Sequence, residues 1–392
     1  MSDLQRNNIF RLATAQALGG GNSVIVYATA AVVGDGLAPD KSLATLPVTI
    51  FVIGMALCTL PAGAIAQRFG RGRVFLLGSL CGMLMGLMAA LGIYLTSFVL
   101  FCSAMLLGGA YAAMVLSLRF AAAECVPEAS QPRALSIVMA AGLIAGVIGP
   151  QTVTYTMHLW QPYLFVPTYL AAAGMALVCA VALLRVRLPR PQASMAHAGR
   201  SLAALIRQPR LLVAMLYGVV SYLLMNFLMT SAPLAMKHEN LPVESSNLAL
   251  QWHVIAMYAP SFFTGTLISR FGANRVVMAG LLLTGASAAV GLAGVLPLHF
   301  YLSLMLLGIG WNFGFVGASA LVLKCHEPSE KDRVQAFNDF VVFGSMVVGS
   351  FASGGMLNRY GWSVICALAF IPLAFALLTL AFTRSASPSE NR

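Results

Sequence analysis

The chain has 392 residues, 59% of them hydrophobic and 9% charged, with a mean hydropathy of +0.84 and a formal net charge of +11. A soluble domain carries about a quarter charged residues, so this composition excludes an ordinary soluble enzyme or binding module and points to an integral membrane protein.

A spanning helix takes about 20 apolar residues. Twelve such stretches are predicted, at 9–33, 43–66, 74–95, 98–122, 133–157, 163–184, 210–233, 247–269, 276–296, 299–323, 334–356 and 362–382. The first is too long for a signal-peptide core, carries "GGGN" (19–22) in its middle and is followed by no small-residue cleavage site, so it is expected to stay as a span. With the N-terminus inside, 20 of the 23 Lys and Arg fall at cytoplasmic ends, and only Lys41, Lys237 and Arg359 fall outside. This bias predicts both termini in the cytoplasm of a cell with the chain in its inner membrane. It also accounts for the basic balance without nucleic acid. The seven cysteines are scattered, no CxxC occurs, and they read as small buried hydrophobes.

Between the sixth and seventh stretches, residues 185–210 hold six arginines, three prolines and no acid, which reads as a cytoplasmic linker. The chain therefore divides into 1–184, a linker at 185–209, and 210–392 with a short cytoplasmic tail. The two sides repeat each other. "AQRFGRGRV" (66–74) matches "ISRFGANRV" (268–276), "LLGGAY" (106–111) matches "LLGIGW" (306–311), and "CVPEASQPR" (125–133) matches "CHEPSEKDR" (325–333). A duplicated six-span unit that sandwiches a midplane site is the plan of many secondary transporters.

On these residues the chain resembles the major facilitator superfamily. "GAIAQRFGRGR" (63–73) is similar to that family's loop between spans two and three, with Gly63, Arg68, Gly70 and Arg73 in matching places. Gln67 replaces the acidic residue that latches a neighbouring helix in the family, so any latch here is expected to be uncharged. The second copy keeps Gly265, Arg270, Gly272 and Arg275, with Ser269 at the acidic place. "GLIAGVIGP" (142–150) resembles the family's glycine-rich, proline-ended element, where small residues let helices approach closely. The resemblance implies an all-α membrane protein of two pseudo-symmetric six-helix halves, working as a monomer in lipid on a small-molecule or metal-ion substrate, and not an enzyme.

Motifs for chemistry are missing. There is no P-loop, no HExxH, and no carboxylate pair within one span. Asp35, Asp40, Glu239 and Glu244 belong to outside loops, which leaves Asp339 as the one acid well inside a span, expected to pair with Arg333 at the cytoplasmic rim or to titrate during transport. Arg119 is expected to snorkel. Met225 and Met229 form the one Met pair at i, i+4, and His253 with Met257 the one His–Met pair at that spacing. Residues at i and i+4 share a helix face. At about 1.5 Å per residue, the two pairs meet at one depth if both faces look inward. Uncharged thioether and imidazole ligands suit Cu(I), so metal ligation and packing are balanced readings.

Both pairs resemble the paired motifs of the CcoA-type copper importers, a bacterial branch of the superfamily that supplies copper for cytochrome oxidase assembly and includes riboflavin importers. "LLGIGWNFGFVGASALV" (306–322) and "FNDFVVFG" (337–344) are similar to that branch as well. The resemblance implies copper import, with copper as substrate and no resident cofactor. The rival is an importer of riboflavin or another small organic molecule. Asn22, Gln151, Asn226, Trp252, Trp311, Asn312 and Asp339 are candidates along its pathway, and Tyr27 and Tyr258 offer aromatic faces. A sensor would need a soluble domain, for which linker and tails are too short.

Overall fold

The computed structural model describes residues 3–127, 131–186, 188, 202–205, 207–327 and 330–385. Among them every regular element is helical. The chain runs through α1 (Asp3–Leu37), a 3-10 turn (Lys41–Leu43), α2 (Leu46–Phe69), α3 (Arg71–Tyr94), α4 (Phe98–Glu124), α5 (Gln131–Thr156) and α6 (Val166–Leu184). A single turn, α7 (Leu202–Leu205), precedes α8 (Pro209–His238), α9 (Val243–Tyr258), α10 (Ser261–Phe271), α11 (Ala273–Ala293), α12 (Pro297–Leu323) and α13 (Lys331–Ser385). Each predicted stretch falls on a helix, the eighth on two (α9 and α10) and the last two on α13, which is two helices run together across a kink at Gly361. Among the described residues nine helices are long and apolar enough to cross a membrane. Most of the linker, residues 189–201, lies outside the described residues.

The helices bury small residues and turn large apolar ones outward, the pattern lipid demands. On α3, Leu76, Leu80, Leu84, Leu87 and Leu91 are exposed, while Gly78, Gly82 and Gly86 are buried one turn apart. A Cβ added at Gly82 would stand 2.7 Å from the Tyr111 ring of α4. Burial there comes from backbone approach, since leucines facing lipid gain nothing by moving inside.

The packing order of the first half recurs in the second. α1 packs on α5, α2 on α4, and α3 on α4 and α6; correspondingly α8 packs on α13, α9 on α12, and α11 on α12 and α13. The loop motifs share a turn as well. Gly70 and Gly272 both have φ of 84°, a conformation glycine reaches without strain.

Three seams join the halves, α1 with α8, α2 with α13, and α5 with α9. All carry polar ties near the end that holds the α1–α2 and α8–α9 loops. Lys237 Nζ lies 2.6 Å from Asp35 Oδ2, and Lys41 Nζ 3.4 Å from Asp35 Oδ1. Thr45 Oγ1 donates to the Ser350 carbonyl at 3.0 Å and accepts from Gly354 N–H at 3.1 Å, and Thr49 Oγ1 donates to Ser350 Oγ at 3.1 Å. Along the third seam Gln151 Nε2 donates to Gln251 Oε1 at 2.9 Å, Asn247 Nδ2 to Thr154 Oγ1 at 3.4 Å, and His158 faces Glu244 at 3.4 Å.

These ties correct one expectation. Asp35 is on the last turn of α1 and Glu244 on the first turn of α9, not in loops. Asp35 is held helical and largely buried because two ammonium groups compensate its charge.

Candidate functional site

A central cavity with about 790 Å³ of empty space, open solvent included, lies between the halves. One face of α1 supplies Gln16, Gly20, Ser23, Val24 and Tyr27, at spacings of three and four that keep them on one side of the helix. The second half supplies Tyr222, Met225 and Met229 from α8, Val254, Met257 and Tyr258 from α9, and Met346 from α13, and α2 adds Phe51 and Met55. Among the described residues no charged side chain lines this cavity.

The wall is aromatic and sulfur-rich. Tyr222 meets Trp311, Phe315 and Phe343 edge-on at ring separations of 5.2, 4.9 and 5.9 Å, and Trp311 stacks on Phe315 at 5.4 Å. Tyr258 stands 6.4 Å from Trp311, so this cluster backs both tyrosines. Across the cavity Tyr27 sits edge-on to Phe51 at 5.6 Å. Pro233 interrupts the amides of α8, so the Met229 carbonyl lacks its donor four residues on.

Of the four proposed metal ligands, Met225, Met229 and Met257 line the cavity and His253 does not. His253 is fully buried against α12, with Nδ1 2.6 Å from the Leu304 carbonyl and Nε2 enclosed without a partner. At 100° per residue, the cavity-facing centre of Val254, Met257 and Tyr258 lies about 90° around α9 from His253. Sharing a broad face with Met257 therefore does not bring the imidazole to the cavity.

Most of the polar candidates join helices. Asn22 donates to the Ala172 carbonyl of α6 at 3.1 Å, and Asn226 to the Met346 carbonyl of α13 at 3.1 Å. Trp252 is 44% exposed on the outer surface of the bundle. Asn312 holds the break between α9 and α10. Pro260 has no amide hydrogen, and the chain turns there; Asn312 Nδ2 donates to the Met257 carbonyl and to Ser261 Oγ, each at 2.7 Å, and Oδ1 accepts from Thr264 Oγ1 at 2.6 Å.

Asp339 lines a second cavity, toward the opposite end from the polar ties, with Thr59, Arg71, Ser117 and Phe343. Leu116 lines both cavities, so the two adjoin. Asn338 Nδ2 donates to Asp339 Oδ1 at 3.2 Å, and the side chains of Arg333 and Arg119 lie outside the described residues. The glycines of "GGGN" serve helix crossing: a Cβ at Gly19 would stand 2.3 Å from Val115, and one at Gly21 2.9 Å from Met175.

In the loop motif, Arg68 and Arg73 flank the Phe69 ring at 5.2 and 4.8 Å, and Arg270 stands 5.3 Å from the Phe271 ring. Arg275 Nη1 reaches the Phe271 carbonyl at 3.5 Å, and Gly265 has open space around it. Ser269 Oγ bonds carbonyls of its own helix, and the placements of the Gly63 and Gln67 side-chain positions lie outside those described. The charged tie here is one the motif did not single out: Arg71 makes a two-pronged ion pair with Glu124 of α4, at 2.7 and 2.5 Å.

A cavity between two like-built halves, with polar ties toward one end and a second cavity toward the other, is the arrangement of a membrane transporter. The family model of the Major Facilitator Superfamily matches residues 12–250 and 214–392, and the chain belongs to that superfamily. It is similar to the riboflavin transporter RfnT of Brucella anthropi, 42% identical over 378 residues that cover 96% of this chain and 95% of the relative. Its fold is that of the nucleoside transporter NupG (TM-score 0.73, 15% identity, 97% and 99% of the two chains covered). The xylose transporter XylE from E. coli is similar at a TM-score of 0.71, with 16% identity and 97% and 100% covered.

Proposed function

We propose that the chain imports a neutral, flat organic solute of the riboflavin class across the inner membrane. Residues 1–184 and 210–385 rock about the cavity, the linker 185–209 joins them, both termini lie in the cytoplasm, and one chain suffices. The observation that carries this reading is the cavity wall: aromatic faces and neutral hydrogen-bonding groups, with no charged side chain among the described residues. Apolar walls with a few placed polar groups suit such solutes. The 42% identical relative, named as a riboflavin transporter, supports the same cargo. With the α1–α2 end outside, the polar ties lie on the outer side and the second cavity, beside Leu116, lies on the inner side.

The test is uptake of labelled riboflavin by a riboflavin-requiring bacterium without its own importer. Expression of the chain should restore growth at low external riboflavin and give saturable uptake. No uptake with the protein present in the membrane would reject the cargo.

Copper import stands as the second reading because Met55, Met225, Met229, Met257 and Met346 all border the cavity, and thioethers select Cu(I). The same cells, loaded with copper, test it in parallel.

A further inference from the structure

Among the described residues every buried amide has a polar partner except one, although the oxygens of Asn22, Asn226 and Asn247 have none. Asn22, Asn226, Gln151 and Asn312 each donate to a carbonyl or amide of another helix. Gln16 is 8% exposed, lines the central cavity, and among the described residues no group hydrogen-bonds its amide. Gly20, one turn along α1, leaves that amide uncovered, since even a Cβ there would stand 4.0 Å from Gln16 Nε2. Ser23, on the same face, turns its hydroxyl back toward the Gly19 carbonyl at 3.5 Å. A buried amide without a partner is costly, and in a cavity wall it marks the place of a ligand group.

We infer that Gln16 is the specificity-determining contact of the cavity and that it reads an imide edge on the cargo's ring. A primary carboxamide is planar and carries one acceptor beside one donor. Its oxygen accepts from the ring N–H while its NH2 donates to the neighbouring ring carbonyl, two parallel bonds in one plane. The hydroxyls of Tyr27, Tyr222 and Tyr258 can each turn to give or take a single bond, so none of them fixes an edge in this way. The inference takes its ring from the proposed riboflavin-class cargo, although the chemistry asks only for the imide edge. A uracil ring carries the same edge on a smaller frame.

Equilibrium dialysis on the purified full chain in lipid nanodiscs tests it with two matched pairs: riboflavin against 3-methylriboflavin, and uridine against 3-methyluridine. Methylation removes the ring N–H and blocks the edge. The unmodified chain should hold riboflavin about tenfold or more tighter than its methylated partner, the range of a two-pronged amide contact. Gln16→Met, of similar length and without the amide, should lower riboflavin affinity to that of the methylated compound and erase the difference. Gln16→Asn, whose amide is withdrawn by one methylene, should fall between and decides the matter if Gln16→Met does not fold. Discrimination that survives in Gln16→Met, or undiminished in Gln16→Asn, or that is missing in the unmodified chain, overturns the assignment. Binding of the uridine pair with the expected Gln16 effect and no riboflavin binding overturns the riboflavin-class reading and leaves Gln16 in its role. Binding of neither pair overturns both.

Discussion

Met225 and Met229 are where the two cargo readings part. Leucine keeps their volume and apolarity and removes the sulfur, a swap that costs under about 1.5 kcal/mol of packing. If the wall only shapes a slot for a ring, the double variant Met225→Leu/Met229→Leu should keep riboflavin uptake within about threefold at equal protein level. Copper uptake lost in that variant, with copper transported by the unmodified chain, would favour the second reading. Spacing alone located three of the sulfur groups around this cavity, because i and i+4 share a face to within about 40°. It misplaced His253, because that tolerance is enough to turn a side chain from the cavity onto α12. Gln16 was invisible as a site residue: in sequence it is one amide near the start of a span, and only the packing shows that no other group among the described residues takes its hydrogen bonds.

The apolar stretches were legible because lipid imposes length and composition on every helix that crosses it. The break between α9 and α10 was not. Pro260 signals a possible break, yet what makes it tolerable is Asn312, more than 50 residues away, which bonds the Met257 carbonyl. Asn312→Ala would leave that carbonyl without its side-chain donor, at about 1–3 kcal/mol, while Thr264 keeps its bond to the Pro260 carbonyl at 2.7 Å. We expect a lowered thermal midpoint of the purified protein together with weaker cargo binding, since Met257 and Tyr258 sit at the break. A midpoint unchanged in Asn312→Ala would mean that water or a neighbour takes over the bond.

For the molecule as a whole, the charged tie between halves sits at one end. At the α2–α3 loop the Gln67 side chain, where an uncharged latch is expected, lies outside those described, and the Arg71–Glu124 pair stays within the first half. Among the described residues the lysine–carboxylate pair that spans the halves is Asp35 with Lys237, at the same end as His158 and Glu244. Lys237 is 40% exposed, so the pair is screened and its loss should weaken the closed end by roughly 1 kcal/mol, a factor of about five in population. In a cysteine-free background with Ser23→Cys in the cavity, an impermeant thiol reagent applied outside should label slowly, and Lys237→Gln should quicken labelling several-fold. Rapid labelling without Lys237→Gln would reverse the proposed orientation, and equal rates would remove the pair from the seal. The duplication made this symmetry readable from three matched segments; which end closes was not readable, because it depends on contacts between residues some 200 to 300 positions apart.

The absence of charged side chains around the central cavity, among the described residues, bears on energetics. When the halves exchange sides, the site and a neutral cargo move no net charge through the bilayer. The membrane potential, worth about 2.3 kcal/mol per elementary charge per 100 mV, therefore does no work on the cargo step. Such a carrier equalises free solute on the two sides, and any uphill accumulation must be driven by a charge borne elsewhere in the chain. Asp339 and Arg71 are the charged residues that line the second cavity among the described residues.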